Sequence, residues 1–99
     1  MDRNEALQRI ADAFPRIKGD YGLRSISLFG SMARDEAGPG SDVDLLVEFE
    51  PGRACGFFTF FRLQRELEAV LGAPVDLVTP DALKRQLREA ILAEAIRAA

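Results

Sequence analysis

Apolar residues recur at helical spacing near the start of the chain, at Leu7, Ile10, Phe14 and Ile17, behind Asn4 as a candidate cap. Pro15 lacks an amide hydrogen, so this first helix is predicted to be short or broken near Phe14. After the turn between Gly19 and Gly22 the period changes: from Arg24 to Phe29, Ile26 and Leu28 alternate with serines, the pattern of a half-buried strand. Gly30 ends the strand and Ser31 opens a short helix to about Glu36, followed by a loop from Ala37 to Ser41 that carries Gly-Pro-Gly. A second strand runs from Asp42 to Phe49, with Val43, Leu45, Val47 and Phe49 on one side and Asp42, Asp44, Leu46 and Glu48 on the other. Beyond a loop from Glu50 to Gly56, a helix is predicted with Phe57, Phe60, Leu63, Leu67 and Val70 along one face, ended by Gly72. Val75 to Val78 reads as a third strand between Pro74 and Pro80. Thr79-Pro80 then caps a last helical region whose stripe, Leu83, Leu87, Ile91 and Ala95, reaches almost to the final residue. The fold class is α/β: a small mixed sheet of three to four strands, backed by helices, with its carboxylates on an open face.

Composition narrows the possibilities. Ninety-nine residues suit one domain, 1–99, with a modest core and no room for a separate acceptor-binding domain. A net charge of −3 argues against a nucleic-acid surface, which needs clustered Lys and Arg. The start, Met1-Asp2-Arg3-Asn4-Glu5, has neither a basic nor an apolar leader, and no later apolar run is long enough to span a bilayer, so a cytoplasmic protein is expected. Cys55 stands alone and histidine is absent, which removes internal disulfides, the usual zinc sites and a Ser-His-Asp triad.

The candidate chemistry lies in the acids. Asp42 and Asp44, two strand steps apart, are separated by roughly 6–7 Å and face the same way. At an effective dielectric suited to a partly buried site they repel by about 2–3 kcal/mol. A Mg²⁺ or Mn²⁺ ion between them would offset that repulsion and bind phosphate oxygens as well. Asp76 interrupts an otherwise apolar strand, where an acid is costly unless it is paired or binds metal. Gly30 and Ser31, on a strand-turn-helix, form a small-residue turn whose free amides favour anions. Three carboxylates beside a phosphate-holding turn can bind a metal-nucleotide and activate a hydroxyl for in-line attack on phosphorus.

The pattern Gly30-Ser31, Asp42-x-Asp44, Asp76 resembles the nucleotidyltransferase superfamily that includes DNA polymerase β. Within it, the runs Leu28-Phe29-Gly30-Ser31-Met32-Ala33-Arg34 and Ser41-Asp42-Val43-Asp44-Leu45-Leu46-Val47-Glu48-Phe49 are similar to the minimal nucleotidyltransferases of prokaryotes, and the likeness spans nearly the whole chain. Such chains are encoded beside a helical HEPN-domain ribonuclease toxin and act as its antitoxin, with members transferring AMP from ATP to a tyrosine of that partner. The resemblance implies a polymerase β-like fold, Mg²⁺ as cofactor, ATP as substrate and a hetero-oligomer with the toxin. It implies Asp42 and Asp44 as metal ligands, Asp76 as the third carboxylate and general base, and Gly30 with Ser31 as triphosphate holder. The family often has Arg where this chain has Met32 and Gly where it has Asp35, so no phosphate contact carries over to those two positions.

Several features have a plainer reading. Gly30-Ser31 is also a turn and helix cap, and Asp76 can equally pair with an arginine. Arg34 is a candidate for a phosphate, or an exposed partner of Glu36. Of Phe57, Phe58, Phe60 and Phe61 most are expected in the core, with Phe58 or Phe61 left for adenine or a partner. Lys84, Arg85 and Arg88 read as a solvated basic face. A different class of function also fits: a binding module that keeps the fold but neutralises its partner by covering it. A purely steric inhibitor has no need of three clustered acids, which favours the enzyme.

Overall fold

The computed structural model describes residues 1–38, 40–53 and 56–99, so Pro39 of the Gly-Pro-Gly loop and Cys55 lie outside the described residues. In chain order the elements are α1 (Arg3–Tyr21), β1 (Leu23–Phe29), α2 (Gly30–Ala33), β2 (Val43–Phe49), α3 (Phe57–Leu71), β3 (Val75–Val78), a 3₁₀ turn (Pro80–Ala82), α4 (Arg85–Glu94) and β4 (Ile96–Arg97). The strands form one sheet in the order β3-β2-β1-β4. β1 lies antiparallel to both β2 and β4, while β2 and β3 are parallel and joined through α3. The mixed α/β sheet backed by helices is the expected architecture.

The first helix differs from the expectation. It runs unbroken past Pro15 to Tyr21, because Pro15 lies on the exposed side, where water can take the carbonyl it frees, and the buried Ile17 and Tyr21 hold the turns beyond it. Its cap is Asp2 rather than Asn4: the Asp2 carboxylate accepts the Glu5 amide at 2.8 Å.

One face of the sheet presents Ile26, Leu28, Val43, Leu45 and Val47 to Ile10 and Ile17 of α1 and to Leu63, Leu67 and Leu71 of α3. Each such side chain contributes roughly 1.5–3 kcal/mol on burial, which gives the site on the other face a stiff floor. α3 also fixes the sheet edge. Gln64 donates to the Val75 carbonyl at 2.7 Å and the Glu68 carboxylate accepts the Val75 amide at 3.1 Å, so β3 is clamped one residue before Asp76.

The second face is less open than expected. Phe29 and Leu46 are buried there, outside the main core cluster, with α4 packed against α2 and the 3₁₀ turn against β2. The phenylalanines also depart from expectation: Phe57 and Phe58 are 79% and 84% exposed, Phe61 is exposed, and Phe60 alone of the four packs partly against the core. Fifteen helical residues rise about 22 Å whereas a four-residue strand spans about 13 Å, so the first turn of α3 overhangs β3.

The last helical region is divided. The backbone is extended at Leu83 and again at Ala95, so α4 ends at Glu94, and the following residues form β4, pairing Ile96 with Leu28 and Arg97 with Ser27. A two-residue strand has no period to read in a sequence. No helix among the described residues is long and apolar enough to cross a membrane.

Candidate active site

β2 sits between β1 and β3, and its register places Asp44 directly opposite Phe29 on one side and Asp76 on the other. Direct partners on adjacent strands, about 4.8 Å apart, point to the same side of the sheet. Asp44 and Asp76 are therefore side by side, with Asp76 exposed and Asp44 half-buried. Asp42 is exposed and lies one residue before β2, not within it. The crowding has an electrostatic consequence. Burial pushes the Asp44 carboxyl above the usual aspartate range, and the charges of Asp76 and Asp42 push it further, with Arg34 opposing them.

Among the described residues no group of three or more acidic or other ligating side chains is placed to hold a metal ion, so Asp42, Asp44 and Asp76 are not gathered into one three-carboxylate metal site. What the strand register brings together is the all-oxygen pair Asp44 and Asp76. That suits Mg²⁺, which typically takes one or two carboxylates and fills its remaining positions with phosphate oxygens and water.

Gly30 follows β1 directly and therefore abuts Asp44. Its φ is +74°, and a side chain there would run into the Asp44 carboxylate. Glycine is thus required twice, for the left-handed backbone and for the close approach. Gly30→Ala is expected to lose roughly 1–2 kcal/mol from the backbone conformation alone and to displace Asp44 as well. Thermal melting and a nucleotide-binding assay on the variant should both show a loss; an unchanged melting temperature would mean that the turn adapts.

α2 stops at Ala33 rather than near Glu36, and Phe29 holds its cap position without a side-chain hydrogen bond. Ser31 is therefore inside the first turn, not a cap. The two departures from the family pattern now have local explanations. Met32 is buried in the core, and Asp35 adopts φ +62°, a left-handed conformation suited to glycine that Asp tolerates better than most residues.

Arg34 makes the predicted pair with Glu36, at 3.2 Å, and a second with Glu94, at 3.0 Å. Glu94 also accepts the Gly30 amide at 3.0 Å, and these two donors hold its carboxyl below the usual range. Glu94 was not among the residues expected at the site, because the contact spans 64 positions and depends on the unread β4. Of the basic cluster, Lys84 and Arg85 are exposed while Arg88 donates to the Pro80 carbonyl at 3.0 Å. A cavity of about 750 Å³, lined by Phe57, Phe60, Leu77, Val78 and Leu92, lies at the far ends of β2 and β3 and includes none of the aspartates of the site.

Residues 7–98 match the nucleotidyltransferase domain family. The protein adenylyltransferase MntA of Thermococcus cleftensis is 38% identical over 93 residues, covering 93% of this chain and 92% of its own. A solved minimal nucleotidyltransferase shares the fold with a TM-score of 0.78 at 41% identity, over 97% of this chain and 95% of that one. The complex of a tri-AMPylated Shewanella oneidensis HEPN toxin with its MNT antitoxin gives a TM-score of 0.66 at 20% identity, covering 94% of this chain and 71% of that one, a likeness of fold. With its Gly30-Ser31 turn set against Asp44, itself paired with Asp76, the chain belongs to the nucleotidyltransferase domain family, in its minimal nucleotidyltransferase branch.

Proposed function

We propose that this protein transfers AMP from ATP to a hydroxyl, a tyrosine's by the family resemblance, of a partner HEPN-type ribonuclease toxin, and silences the toxin by that modification. The observation that carries the reading is the register of Asp44 against Asp76 beside Gly30, together with likeness along nearly the whole chain to a protein adenylyltransferase.

Asp42 and Asp44 would hold Mg²⁺, or Mn²⁺ in its place, with Asp76 at the edge of the same set. When bound, the ion neutralises phosphate charge and makes the α-phosphorus more electrophilic. Gly30, Ser31 and Arg34 hold the triphosphate. Exposed Asp76 takes the proton of the incoming hydroxyl as its oxygen bonds to the α-phosphorus, the bond to the bridging oxygen breaks, and pyrophosphate leaves. The chain's single tyrosine, Tyr21, is 6% exposed, so a tyrosine acceptor has to come from another chain. In this reading the partner's own surface presents the acceptor hydroxyl, and the pair acts in the cytoplasm, where an RNA-cleaving toxin meets its substrate.

The direct test incubates the purified protein with ATP, Mg²⁺ and the product of an adjacent gene. Intact mass of the partner should rise by one or more AMP units. A partner that is inhibited with unchanged mass would overturn the enzymatic reading and leave a protein that works by covering.

A further inference from the structure

The Gly30 amide and the Arg34 guanidinium, two of the donors read above as holding the triphosphate, are already engaged by a side chain of the protein itself. The Glu94 carboxylate takes the Gly30 amide at 3.0 Å through Oε1 and the Arg34 guanidinium at 3.0 Å through Oε2. The placement follows from strand register. β4 pairs Ile96 with Leu28, and continuing that antiparallel register two residues past the pair sets Glu94 opposite Gly30. We infer that Glu94 is an internal occupant of the phosphate seat, which ATP must displace before its triphosphate can bind; the inference rests on the reading of Gly30 and Arg34 as phosphate donors.

Three physical points favour displacement over coexistence. A backbone amide has one hydrogen, so Gly30 cannot fully serve a carboxylate and a phosphate at once. A carboxylate left beside the triphosphate would also add like charge to a site that already holds Asp42, Asp44 and Asp76. Finally, Glu94 stands at the end of α4, which contributes no fully buried side chain, so it can move aside while Ile96, Ala98 and the backbone hydrogen bonds of Ala98 and Ala99 with Ile26 keep β4 on the sheet. Arg34 keeps Glu36 as a partner when Glu94 leaves. The device makes nucleotide binding and the position of the α4–β4 junction reciprocal, as any linked pair of events must be.

The experiment compares ATP affinity by calorimetry for the wild type, Glu94→Gln and Glu94→Ala, with melting temperatures to establish that each variant is folded. Gly30 is followed in parallel through its backbone amide resonance in labelled wild-type protein. Both variants should bind ATP about tenfold more tightly, within the range usual for coupled sites. In the wild type, the Gly30 amide should move on ATP addition, whereas in the free variants it should already be displaced from its wild-type position. Equal or weaker ATP binding in both folded variants, with the wild type binding normally, overturns the inference and leaves the phosphate seat standing. Absence of ATP binding in wild type and variants alike removes the phosphate seat itself, and the inference with it.

Discussion

Asp76→Asn is expected to keep partner binding and Mg-ATP binding while losing AMP transfer by about 10²–10⁴-fold, the usual contribution of a positioned general base. The geometry makes the variant clean. Asp76 is exposed on an edge strand whose start is clamped by Gln64 and Glu68 through Val75, so exchanging one carboxylate oxygen for an amide nitrogen leaves β3 in place. Single-turnover AMP transfer, read by partner mass, should fall while calorimetric binding of ATP and partner stays near wild type. In cells the variant should fail to relieve the toxicity of its partner. Protection equal to wild type, with no AMP on the partner in either case, would instead show an antitoxin that acts by contact.

The value of Asp76 was visible in the sequence for a definite reason. An acid inside Val75-Asp76-Leu77-Val78 contradicts its neighbours, and the period-two pattern of Val43 to Phe49 put Asp44 on the same kind of face. What the sequence does not contain is register, and it is the Asp44–Asp76 pairing that sets two unusual acids side by side. Gly30 was legible as a turn, but its second requirement, room for the Asp44 carboxylate, exists only once β1 and β2 are paired. Local rules misled where tertiary packing overrode them. Pro15 sits on an exposed helix face where its cost is small, and Phe57 begins a helical stripe that extends beyond the sheet it would have covered. Glu94 was the least legible residue of all. It lies at the end of a helix whose apolar stripe suggested continuation, and only the short pairing of β4 with β1 brings it to Gly30.

Asp44→Asn should reverse its effect on stability when metal is added. Without metal, the Asp44 carboxyl of the folded protein holds its proton to higher pH than an ordinary aspartate, first because it is partly buried and then because Asp76 and Asp42 repel its charge. The folded state therefore binds more protons than the unfolded chain across the window that begins at about pH 4, the ordinary aspartate value, and extends upward through the raised one. Stability contributed through this group falls as pH rises through that window and returns as pH falls. At neutral pH the ionised Asp44 is thus a cost, and the metal-free Asn variant should melt higher than wild type, with the gap closing toward pH 4. Mg²⁺ should invert the order. A ligand that binds only the folded state adds about 2.7 kcal/mol at a hundred times its dissociation constant, and the wild type should gain this stabilisation while the variant gains little. Calorimetric scans of both proteins from neutral to acid pH, with chelator and with Mg²⁺, read the two effects separately. A full Mg²⁺-dependent gain in the variant would remove Asp44 from the ligand set, and a lower metal-free melting temperature at neutral pH would show that its charge is compensated within the fold rather than held ready for an ion.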